Sequence, residues 1–224
     1  MNRISYPKSQ FPHSAANHVA NQLIKSLKKK NSINVALSGG TSPLPVYEAL
    51  KDFSIDWKRI SFFLVDERSV PVTDSQNNFG NINKAIFEHI PCKAYCVHDG
   101  TTPPEISAAE YEAVLLKNIP IANGHVQFDL ILLGMGLDGH IASLFPKSKA
   151  LNEVSKAVVH TYVNQLNSTR ISLTLPIINN ALRRILLIDS KKEKLFKTNA
   201  WKTLPIGHVE TENMDRIISE LDEN

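Results

Sequence analysis

The sequence predicts an open α/β fold of the Rossmann-like kind, a mainly parallel sheet with helices on both faces. Three observations carry that prediction. Short, continuous apolar runs recur at Ile33–Ser38, Ile60–Val65, Asp129–Gly134 and Arg184–Asp189, as strands buried on both faces of a parallel sheet require. Segments with helical spacing separate most of these runs, so strand and helix alternate along the chain. Three of the strands empty into glycine-rich or charged turns, the position at which open α/β sheets hold their ligands.

Each element follows from local pattern. Ala16, Val19, Ala20, Leu23, Ile24 and Leu27 recur at helical spacing, which predicts an amphipathic opening helix over residues 13–30. INVALS at 33–38 is the first strand, and Ser38–Gly39–Gly40–Thr41–Ser42 is the turn after it. Pro43 and Pro45 suit the first turn of the following helix, where a missing N–H costs least. ISFFLV at 60–65 is the second strand and ends on Asp66–Glu67–Arg68. A polar loop over Thr73–Asn78 leads to a helix near Phe79–Ile90, a short strand around Ala94–Val97 and a helix near Glu105–Asn118. The central strand follows at 129–134. Extended runs at 157–163 and 170–175, the strand RRILLID and a helix from about Lys191 to Ala200 complete the pattern. The tail from Trp201 gives no clear signal. No repeat, low-complexity tract or long linker divides the chain, so residues 1–224 are expected to form a single domain.

Composition narrows the function classes. The chain has 224 residues, 42% apolar and 21% charged, with a formal net charge of +3, as in ordinary globular proteins. Its lysine runs, Lys25–Lys30 and Lys191–Lys197, are not interleaved with stacking aromatics, so nucleic acid is not the expected partner. No stretch approaches the length of a membrane span, and the amino-terminal residues lack a secretory core. Cys92 and Cys96 are the only cysteines; with His98 nearby they read as two reduced thiols rather than a zinc site. The expectation is a cytoplasmic protein, a monomer or weak homodimer, without metal or cofactor.

The chemistry concentrates in DLILLGMGLDGHIASLFP at 129–146. Here a buried strand opens into three glycines that let a substrate approach the backbone. Asp138 and His140 stand there together, in the manner of a general base and the carboxylate that orients it. Gly134–Gly139 also matches G-x-G-x-x-G, but Pro146 cuts any following helix short and no acid ends the next strand-like run, so the dinucleotide fingerprint lacks its context. SGGTS between strand and helix is a phosphate-cradle signal, and its spacing differs from that of a nucleoside-triphosphate P-loop. The same turn without a ligand would be an ordinary strand–helix connection. Asp66–Glu67–Arg68 alone would read as a solvated loop. Three parallel strand ends carrying a cradle, an acid–Arg cluster and an Asp–His turn instead describe a pocket for a small phosphorylated, oxygen-rich molecule. Arg170 and Lys194 are further candidates for a phosphate contact.

With LSGGTSP at 37–43, LVDERSVP at 64–71, LGMGLDGHIASLFP at 133–146 and RISLTLP at 170–176, the chain resembles the 6-phosphogluconolactonases and, more distantly, the glucosamine-6-phosphate deaminases. The resemblance implies a substrate, a phosphorylated sugar lactone, and roles by position. His140 would activate water and Asp138 would orient it. Gly39, Gly40 and Thr41 would cradle the phosphate with Arg170, Asp66 would complete the substrate-binding set, and Arg68 would meet the lactone end. Two positions depart from the family pattern: Asn77 stands where serine is usual, and Ser190–Lys194 lacks a glycine. The equivalent lysine could therefore be Lys191, Lys192 or Lys194, and Lys194 aligns best. A deaminase-like pattern has Tyr after Asp–Glu and a Glu after the histidine turn; this chain has Arg68, and no carboxylate at 143–146. Lactone hydrolysis is thus expected over deamination, and a non-catalytic sugar-phosphate sensor on the same fold is the third possibility.

Overall fold

The computed structural model describes residues 1–221. In chain order the elements are β1 (Asn2–Pro7), α1 (Phe11–Leu27), β2 (Ile33–Leu37), α2 (Pro43–Leu50), β3 (Ile60–Leu64), β4 (Asp66–Arg68), α3 (Asn78–Ala85), β5 (Lys93–Ala94), α4 (Pro104–Asn118), β6 (Ile121–Ala122), β7 (His125–Val126), β8 (Leu130–Leu133), β9 (Val158–Val163), β10 (Ser168–Leu173), α5 (Leu175–Asn179), β11 (Arg184–Asp189), α6 (Ser190–Glu193) and β12 (Met214–Glu220). Seven strands form one parallel sheet in the order β1-β12-β11-β8-β2-β3-β5. The α/β, mainly parallel expectation is met. The four apolar runs supply β2, β3, β8 and β11 at its centre, where Val35, Ala36, Phe62, Phe63, Leu130–Leu133 and Ile185–Ile188 are buried.

From β2 the chain builds outward through β3 to β5, then returns to β8 on the other flank and builds through β11 to β12. The reversal opens a crevice above the carboxyl ends of β2 and β8, the usual ligand position in such sheets. The amide of Ser38 donates to the Leu132 carbonyl at 3.0 Å, so pairing continues to the crevice floor. Tyr47, fully buried on α2, donates its hydroxyl to the Ser38 carbonyl at 2.8 Å and ties the SGGTS turn to the helix. No helix among the described residues is long and apolar enough to cross a membrane.

Several expectations are corrected. The runs at 157–163 and 170–175 do not join the parallel sheet. They form the hairpin β9–β10, which pairs antiparallel with β4 in a separate three-stranded sheet. The alternating exposure of β9 fits a strand with one wet face. The small sheet is stitched to the large one where the Leu173 amide donates to the Val65 carbonyl at 2.8 Å. The opening helix starts at Phe11 and ends at Leu27, with Pro12 in its first turn. The helix expected over 191–200 is one turn, Ser190–Glu193, followed by 3-10 turns. Strands β1 and β12 were not legible in the sequence; β12 lies in the tail beyond Trp201. It is tied down by Asp215, which is buried and accepts from Asn2, His18 and Arg183 at 2.8–3.0 Å.

Candidate active site

A cavity of about 200 Å³ lies in the crevice between the end of the parallel sheet and the small antiparallel sheet. Its walls include Gly39–Ser42, Asp66, Arg68, Asn78, Gly134, His140 and Arg170, so three strand ends and β10 converge there as the motifs predict. Asp138 stands behind His140 rather than on the cavity wall. Its Oδ1 lies 2.6 Å from His140 Nδ1 and also accepts the His140 amide at 3.2 Å. Nδ1 is thereby engaged, which leaves Nε2 as the ring nitrogen to meet a water or substrate. Burial favours the neutral form of the Asp138 carboxyl, but the hydrogen bond and charge of His140 outweigh it and hold the group below its ordinary value.

The turn after β2 is shaped for close approach. Gly40 has φ +108°, a conformation open chiefly to glycine. A Cβ on Gly39 would lie 2.0 Å from Asn78 Oδ1, so the backbone there lies directly against the Asn78 amide. Asn78 is itself fixed, donating from Nδ2 to the Asp66 carbonyl at 2.9 Å. Thr41 is exposed at the rim.

Arg68 and Arg170 face each other directly across the β4–β10 ladder. Arg68 donates to the Gln76 carbonyl, yet the Nε atoms of both guanidiniums are buried without a hydrogen-bond partner. Arg170 is 7% exposed; burial first, and the Arg68 charge second, lower its affinity for its proton. Like charges opposed on a ladder are destabilising, and buried donors without partners are rare. Such a pair leaves two positive charges on the cavity wall.

Asp66 Oδ2 accepts the Ser143 hydroxyl at 2.7 Å, and the Ser143 amide donates to Ser172 Oγ at 3.1 Å. These buried contacts bind the turn after His140 to β4 and β10 of the small sheet. That turn is tight, with Ala142 at φ +51°. Glu67 points away from the cavity and collects the amides of Arg68, Asn78 and Phe79 at 2.7–2.8 Å. Burial pushes its carboxyl up to about 7, against the pull of those donors. Asn77, the departure from the family serine, accepts the Gly80 amide at 2.7 Å as the cap of α3; asparagine and serine cap helices equally well.

The late lysines differ in position. Lys192 lines the cavity, whereas Lys194 is exposed outside it. Asp189 caps the turn by accepting the amides of Lys191 and Lys192 at 2.9 and 3.0 Å. Glu193 turns to the opposite side, buried between Arg3 and Arg216 at 3.1 and 3.2 Å. The register of this single helical turn decides which lysine faces inward. Sequence reasoning also missed Asn78, Ser143, Phe145 and Leu166. The first three lie inside the quoted motifs or beside them; Leu166, at the tip of the β9–β10 hairpin, carries no sequence signal.

Comparison with known proteins identifies the family. Residues 7–218 match the family described as glucosamine-6-phosphate isomerases/6-phosphogluconolactonase. The 6-phosphogluconolactonase of Thermotoga maritima is 36% identical over 193 residues, covering 84% of this chain and 83% of that protein. The 6-phosphogluconolactonase of Haemophilus influenzae is 33% identical over 215 residues, covering 92% and 89%. The crystal structure of the Thermotoga maritima enzyme superposes with a TM-score of 0.85 over 98% of this chain and 100% of that one. The chain belongs to the glucosamine-6-phosphate isomerase/6-phosphogluconolactonase family.

Proposed function

We propose that the protein hydrolyses 6-phospho-D-glucono-1,5-lactone to 6-phospho-D-gluconate, in the cytoplasm and as a step of the oxidative pentose phosphate pathway. The observation that carries this reading is one cavity holding both an Asp-oriented histidine and two arginines, each with a buried, unpartnered Nε. His140 Nε2 takes a proton from water as the water oxygen attacks the C1 carbonyl. Arg68 meets the negative charge that grows on the carbonyl oxygen, where fixed donors favour the transition state. The C1–O5 ring bond then breaks, and the imidazolium returns its proton to O5. Asp138 keeps the proton-accepting tautomer and steadies the imidazolium. Arg170, the Gly39–Thr41 turn and Lys192 receive the phosphate, in which charge-assisted contacts supply orientation as well as affinity. Asp66 holds the floor through Ser143.

His140→Ala should lower kcat by about 10²-fold or more, the usual contribution of a positioned general base. Initial rates of acid release, corrected for spontaneous lactone hydrolysis, measure it. A variant with wild-type kcat removes His140 from the role.

A further inference from the structure

We infer that Phe145 and Gly136 are positioning residues for the His140 imidazole, forming a slot that fixes the direction of Nε2. The inference rests on the reading of His140 as the base. Histidine's second side-chain torsion is soft and broad. One hydrogen bond at Nδ1 still lets the ring rock about that bond, and Asp138 is itself half-exposed. A base that must meet water at one angle needs a further restraint.

Phe145 supplies it from the ring face. Its ring stacks on the imidazole with centroids 4.1 Å apart and planes inclined by 30°. Phe145 is 9% exposed, yet it stands outside the main apolar core that takes in its neighbour Leu144. What it covers is His140. The face of an aromatic ring also favours a cation, so the same contact supports the imidazolium formed when the proton arrives.

Gly136 supplies the space. A Cβ there would lie 2.3 Å from both Cε1 and Nδ1 of His140 and 2.6 Å from Asp138 Oδ1. The whole His–Asp pair therefore rests against this bare Cα. Gly136 does not have positive φ, unlike Gly139 at +76°, so backbone conformation is not what calls for glycine at 136. Its amide donates to the His140 carbonyl at 2.9 Å, and its carbonyl accepts the Gly139 amide at 3.1 Å. The loop is closed on itself, and the imidazole cannot leave the slot by a hinge of the backbone.

The test combines rates with the signature of stacking. Phe145→Leu should lower kcat on 6-phosphogluconolactone about tenfold with KM within about twofold, and Phe145→Tyr should restore it; misplacement of a reacting group by about 1 Å can cost up to 10²-fold. In the proton NMR spectrum the His140 ring signals should lie upfield in the wild type and in Phe145→Tyr, and return downfield in Phe145→Leu. Gly136→Ala should lose about 10²-fold in kcat, because both members of the pair must shift. Should that variant not fold, the Phe145 pair decides alone. Phe145→Leu with kcat within twofold of wild type, or with unmoved His140 signals, overturns the inference. His140→Ala assayed alongside separates the two claims. Wild-type kcat in that variant defeats the base, whereas its loss beside an unaffected Phe145→Leu defeats only the slot.

Discussion

Replacing Arg170 with methionine should weaken the protein's hold on anions without weakening its fold. Arg170 is buried opposite Arg68, and neither Nε has a partner. In the free protein the pair is therefore an electrostatic burden, and methionine of similar length removes half of it. A charge-assisted hydrogen bond contributes about 1.5–3 kcal/mol. At about 1.4 kcal/mol per factor of ten, KM should rise about 10- to 160-fold, with kcat much less affected. Inorganic phosphate at about 100 times its Kd should stabilise the wild type by about 2.7 kcal/mol. For a chain of this size that is a rise in Tm of about 5–11 °C. The same phosphate concentration should give Arg170→Met about half that rise or less, since a tenfold weaker Kd leaves about 1.4 kcal/mol. Thermal melts with and without phosphate, together with initial rates, measure all three quantities. The reasoning is refuted by a variant whose Tm without phosphate falls several degrees while its KM and its phosphate shift stay at wild-type values.

Two further predictions follow from the same geometry. Lys192→Met should raise KM about tenfold, in line with loss of one charge-assisted contact, whereas Lys194→Met should change it less than twofold; the reverse order in steady-state kinetics would return the role to Lys194. The Asp138 carboxyl is held below its ordinary value of 3.8 in the fold, so its contribution to stability is present above that value and is lost as pH falls through and below it. Melting temperatures across the acidic range should therefore fall more steeply for the wild type than for Asp138→Asn, and parallel curves would show that the His140–Asp138 contact adds nothing to folding.

The centre of the sheet was legible because burial on both faces writes itself as unbroken apolar runs: INVAL, ISFFL, LILL and RILLID became β2, β3, β8 and β11. The edges were not. Strand β1 is half-exposed and polar, and β12 mixes Asp215, Arg216 and Ser219 among its apolar residues. Neither presents the pattern of a buried strand, and β1 pairs with β12 more than 200 residues away. The β9–β10 hairpin had a period-two signal in VVHTYV, but helix–strand alternation elsewhere favoured a parallel reading. In the site, the residues on strand ends came together as their motifs implied, because a parallel sheet delivers all its carboxyl ends to one edge. Which lysine faces the cavity, and what holds the His140 ring, depend on the register of one short turn and on packing in three dimensions. The sequence carries neither.

The central claim is tested most directly by offering the purified protein two substrates that share a phosphate and differ at the reacting end. With freshly prepared 6-phosphogluconolactone, acid release should exceed the spontaneous rate in proportion to enzyme added. With glucosamine-6-phosphate, no ammonia should appear, because the Arg68 guanidinium, in the role proposed for it, would repel a protonated amine. Lactone hydrolysis no faster than background, or ammonia release at a comparable rate, would contradict the account.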